Sequence, residues 1–169
     1  MERDRLADRQ HLAVALLSAW LILTSPWIAM LRRIPDGAGF LDHSHVALGF
    51  ATMLLSLTYA YSCSRGGRWR LYFPWASGQL RIVGRDLAGL IRGRIPAAEG
   101  GGLFALIEGV LLLALLATAL TGAAWFLAQG SSEALTWRGW HVLAARVLVA
   151  TVLLHVVTVS LHLLDFVRD

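Results

Sequence analysis

The chain has 169 residues, 57% of them apolar, and a mean hydropathy of +0.61, which excludes an ordinary soluble domain of this size and makes a bilayer the natural solvent. All fifteen basic residues are arginine and the formal net charge is +4; because these arginines cluster beside long apolar segments, they point to membrane topology and away from nucleic acid. The single cysteine, Cys63, excludes an internal disulfide, a CxxCH attachment site and an iron–sulfur cluster carried by this chain alone.

Four segments reach the roughly twenty apolar residues that a crossing needs. The first, 12–31, reads LAVALLSAWLILTSPWIAML, with Pro26 predicting a kink near its far end. Its length and its lack of a small-x-small cleavage site favour a span over a signal peptide. The second runs over about 45–61. A long basic connection, 62–102, follows. Within it Leu80, Val83, Leu87, Leu90 and Ile91 fall at helical spacing with Arg81, Arg85 and Arg92 among them. That pattern predicts a helix over about 79–92 lying on the membrane surface, an ordinary basic loop being the alternative. IRGRIPAAEGGG, at 91–102, ends it. The third span is 103–127. The fourth, about 137–164, is longer than a bilayer requires and so tilts or protrudes. Every backbone group in lipid needs an internal partner, so each span is a helix. The expected architecture is all-α, an integral membrane four-helix bundle forming a single domain over residues 1–169.

Arginine placement sets the orientation. Arg3, Arg5 and Arg9 precede the first span, Arg65, Arg68, Arg70, Arg81, Arg85, Arg92 and Arg94 lie between the second and third, and Arg168 follows the fourth, against only Arg32, Arg33 and Arg138 on the other side. This imbalance places both termini in the cytoplasm. Trp27, Trp125, Trp137 and Trp140 are then expected as anchors at the outer interface.

Histidine at intramembrane depth is expensive without a partner, which makes each one a functional candidate. His141 and His155 lie on the fourth span; fourteen helical steps advance ~21 Å and return to within ~40° of the starting direction, so both leave one face at two depths. His11 opens the first span at its cytoplasmic end and His45 opens the second at its outer end. Depth therefore matches His45 with His141 and His11 with His155. Two facing imidazoles at each of two levels suit haem iron, held by neutral histidine nitrogens inside a four-helix bundle. Structural zinc wants three or four converging ligands, and Met1, Met30 and Met53 form no soft-metal set. His43 competes with His45, which is preferred because it sits at the apolar boundary and carries Gly49 one turn on. His162 competes with His155 but lies ~31 Å from His141 along the helix. Gly49, Gly109 and Gly122 remove side chains where a macrocycle meets backbone, or else serve as small-residue contacts between helices.

With RQH at 9–11, HVALG at 45–49, RGRIP at 92–96, Thr121–Gly122 late in the third span and H-x13-H at 141–155, the chain resembles the di-haem, four-helix membrane cytochrome b family. That family includes bacterial cytochrome b561 and the cytochrome b subunits of hydrogenases, formate dehydrogenases and thiosulfate reductases. The resemblance implies two haem b groups, His11 and His155 holding the cytoplasmic-side iron and His45 and His141 the outer one. It also implies a bacterial inner-membrane location and electron exchange between a quinone and a redox partner subunit such as a hydrogenase, a molybdenum enzyme or a cytochrome c. On this reading the chain is an electron-transfer subunit and not an enzyme by itself. The short outer connection, 32–42, departs from the pattern in having few polar groups to define a docking face.

Two charges remain inside the spans. Arg146 is rotated ~140° from His141 and needs a counter-charge, a haem propionate or water. Glu108, near the inner end of the third span, is a candidate proton relay at a quinone site; a glutamate reaching the cytoplasmic interface is the plain alternative. Two other function classes are a stand-alone oxidoreductase acting on a small molecule such as superoxide, and a haem-free membrane scaffold or transporter.

Overall fold

A computed structural model describes residues 2–67, 69–94 and 101–168. Among them the chain is all-helical. The helices are α1 (Glu2–Thr24), α2 (Phe40–Ser64), α3 (Trp69–Tyr72), α4 (Pro74–Ser77), α5 (Leu80–Ile91), α6 (Leu103–Leu127) and α7 (Ala134–Arg168). Three of them, α2, α6 and α7 over Ala134–Leu161, are long and apolar enough to cross a membrane. The 103–127 expectation coincides with α6, while α2 and α7 extend a few residues beyond the expected spans.

The first span differs more. The apolar run 12–31 is not one kinked helix, because α1 ends at Thr24 and a 3-10 turn, Ser25–Trp27, follows. Pro26 disfavours helical backbone in the residue before it, and the Thr24 and Ser25 hydroxyls donate back to the carbonyls of Trp20 and Ile22 at 2.7 and 2.8 Å. At the other end α1 reaches back to Glu2 through charged residues that an apolar count passes over.

The chain divides into two compact units, Met1–Ser62 with Ala114–Leu148, and Cys63–Leu113 with Val149–Asp169. In the first, α1 and α2 are joined by Gln10, whose amide donates to Thr58 Oγ1 and accepts from Ser62 Oγ, both at 3.3 Å. Thr52 and Ser56 are fully buried, their hydroxyls satisfied by carbonyls one turn back. Phe50 of α2 meets Phe126 of α6 edge to face, ring centroids 5.3 Å apart, a favoured aromatic geometry.

The connection from α1 to α2 is tied down along its length. Asp42 accepts the N–H groups of Ala29 and Gly39 at 2.9 and 3.0 Å. The Trp125 indole donates to the Leu31 carbonyl at 2.9 Å, the Ile34 N–H to Gln129 Oε1 at 2.8 Å and the Gly130 N–H to the Arg32 carbonyl at 3.1 Å. Trp125 is thus a buried hydrogen-bond donor, 5% exposed, and not the interface anchor its position suggests. Trp27 and Trp140 are exposed.

In the second unit α5 fulfils the prediction of a helix near 79–92. Val83 is buried, whereas Leu80, Leu87, Leu90 and Ile91 stay exposed beside Arg81 and Arg85. Arg92 caps it, Gly93 turns the chain at positive φ and the Arg94 N–H returns to the Gly89 carbonyl at 2.9 Å; Ile95 and Pro96 of RGRIP lie outside the described residues, as does Arg68. Asp86 of α5 accepts the Leu103 N–H at 2.8 Å, satisfying one of the unpaired donors at the start of α6.

Candidate functional site

The first unit brings two of the four predicted histidines together. His45 sits in the second turn of α2 and His141 two turns into α7, and their ring centroids are 6.5 Å apart with planes at 87°. Two imidazoles that each give one nitrogen to a single metal atom at about 2 Å have centroids roughly 6 Å apart, so the spacing suits a shared metal and is wider than a direct ring contact requires.

The His141 ring is fixed by α6. Its Nδ1 lies 2.9 Å from the Thr118 carbonyl. A carbonyl only accepts, so Nδ1 carries the proton, and a neutral ring then leaves Nε2 as a bare lone pair. This is the tautomer that a metal-binding histidine holds when its other nitrogen donates to a backbone carbonyl. On His45, Nδ1 is buried with no hydrogen-bond partner among the described residues. Such an orphan costs on the order of 1–3 kcal/mol, a cost that a ligand reaching this nitrogen would offset.

The competing His43 is exposed and its Nδ1 bonds the Gly39 carbonyl of the preceding turn at 2.9 Å, so that ring is engaged locally. The His162 side chain lies outside the described residues. His11, also in the first unit, is exposed and stacked on Tyr59 of α2, centroids 5.9 Å apart and planes 23° from parallel. His155 is half-buried on the part of α7 that belongs to the second unit. Among the described residues no cluster of three or more histidine, cysteine or carboxylate groups could hold a metal ion.

The three glycines separate into three roles. Nothing lies within 4 Å of a Cβ built on Gly49, so the turn after His45 leaves the space a flat group beside that ring would use. Gly109, by contrast, packs on the Tyr72 backbone carbonyl, where a Cβ would collide; it is a helix contact and not a macrocycle contact. Gly122 lies under the His141 ring, a Cβ there falling 3.0 Å from Cε1 and Nδ1. Arg146 is exposed and makes no ion pair among the described residues, and Glu108 is exposed near the start of α6.

Compared with known families, residues 3–165 match the description of prokaryotic cytochrome b561. The chain belongs to the prokaryotic cytochrome b561 family. Membership brings with it a b-type haem and transmembrane electron transfer, and the paired imidazoles of His45 and His141, the locked tautomer and the open flank at Gly49 fit that cofactor. No individual curated protein and no solved structure matches the chain.

Proposed function

We propose that this cytochrome b561 family member is a multi-pass protein of the bacterial inner membrane that carries electrons between a quinone and a redox partner subunit through two bis-histidine haems. The observation that supports the reading is the His45–His141 pair, two rings from different helices with centroids 6.5 Å apart, a spacing that suits one shared iron atom. Haem supplies the one-electron chemistry; the protein holds and orients it and tunes its potential.

His45 and His141 hold the outer haem. For the cytoplasmic-side haem, His11 and His155 are supported by their matching sequence depth. The arginine asymmetry places both termini in the cytoplasm. On α5, exposed Leu80, Leu87 and Ile91 beside Arg81 and Arg85 suit a helix resting on the anionic inner leaflet. Exposed Glu108 is the carboxylate assigned to pass protons to bound quinone.

A dithionite-reduced minus oxidised spectrum of the purified protein tests the reading. It should show b-type bands with about two irons per chain, and a spectrum without them overturns it. A hydrogenase, molybdenum enzyme or cytochrome c copurifying with the chain would identify the electron-transfer partner.

A further inference from the structure

In a regular α-helix the carbonyl of residue 118 is committed to the N–H of residue 122. A side chain from another helix that seeks the same carbonyl must therefore pass over the Cα of residue 122. In α6 that residue is glycine. The His141 imidazole lies against the bare backbone there, with its Nδ1 2.9 Å from the Thr118 oxygen, and a Cβ on Gly122 would stand 3.0 Å from both Cε1 and Nδ1. The Thr121 hydroxyl, whose single proton goes to the Ala117 carbonyl at 2.6 Å, also stands 3.0 Å from the same Thr118 oxygen. A carbonyl oxygen has two lone pairs, so the acceptor is crowded and the imidazole has a narrow approach to it.

We infer that Gly122 is a positioning residue for His141: its missing side chain lets the ring reach the Thr118 carbonyl, which keeps the proton on Nδ1 and aims Nε2 in a single direction. The inference rests on His141 being a haem ligand. Donation to the carbonyl makes the imidazole a stronger base toward metal, and a more basic ligand favours the ferric state. An added methyl cannot push backbone aside and must push the ring, which lengthens the Nδ1 to oxygen bond and weakens that donation.

The test compares wild type with Gly122→Ala, with Gly139→Ala as control, since nothing lies within 4 Å of a Cβ at that position on the same helix as His141. In Gly122→Ala, one haem should rise in midpoint potential by an amount near a tenfold change in its reduction constant, 59 mV for one electron, and its low-spin ferric EPR signal should shift. The other haem and the Gly139→Ala protein should match wild type. An unchanged potential and EPR signal in Gly122→Ala overturns the inference and leaves the haem reading standing; wild type without b-type bands overturns the haem reading itself. If Gly122→Ala does not accumulate, the reduced, diamagnetic wild-type protein decides: its His141 Nδ1–H proton should resist exchange into heavy water. Rapid exchange of that proton overturns the inference.

Discussion

His45 and His141 face one another from α2 and α7 with rings nearly perpendicular and centroids 6.5 Å apart. If one iron atom is shared between them, the two side chains act as a unit and their removals are not additive. His45→Ala and His141→Ala should each lose the same haem, halving the pyridine haemochrome yield per chain, and the double variant should be no worse than either single one. Independent, additive losses would count against a shared ligand.

Gly49 and Gly109 make an opposed pair. Alanine at Gly109 would collide with the Tyr72 carbonyl and should destabilise the protein by about 1–3 kcal/mol as an overpacked contact, read as a lower melting temperature. Alanine at Gly49 meets nothing within 4 Å and should leave the melting temperature of haem-free protein level or raise it, because alanine favours helix by about 1 kcal/mol over glycine. Haem uptake by Gly49→Ala should nevertheless fall if the macrocycle lies along that turn. Undiminished uptake would remove Gly49 from the site.

Trp125 carries a prediction about the connection from α1 to α2. Trp125→Phe keeps most of the buried ring but deletes the donor to Leu31, leaving a carbonyl unpaired at about 1 kcal/mol or more. Limited proteolysis should then cut within 28–39 faster than in wild type, with the haem spectrum unchanged. Equal cutting rates would show that the indole hydrogen bond does not secure the segment.

Glu108→Gln should leave haem content and spectra as they are while slowing electron exchange with added quinol, since an amide cannot relay a proton. Turnover equal to wild type would reduce Glu108 to an exposed helix residue near the start of α6.

Length and hydropathy are enough to locate α2, α6 and α7, because a long apolar run in lipid has no alternative to helix. They misplace α1, whose ends are set by Pro26, by two hydroxyls turned back on their own helix and by charged residues outside the apolar count. The four-residue helices α3 and α4 are too short for any periodicity to register. The His45–His141 pairing is legible from depth and antiparallel order. What escapes the sequence is the partner of His141, a backbone oxygen with no letter of its own, and hence the purpose of Gly122 beneath the ring. Asp42, Trp125 and Gln129 escape for a similar reason, since they act on main-chain groups of a connection that has no pattern.

Five hydrogen bonds string residues 29–39 onto Asp42, Trp125, Gln129 and Gly130. A segment held at so many points has already surrendered its freedom before any encounter. Another molecule touching that end of the unit meets a preset relief, so little further entropy is lost on contact and recognition there depends on shape more than on remodelling.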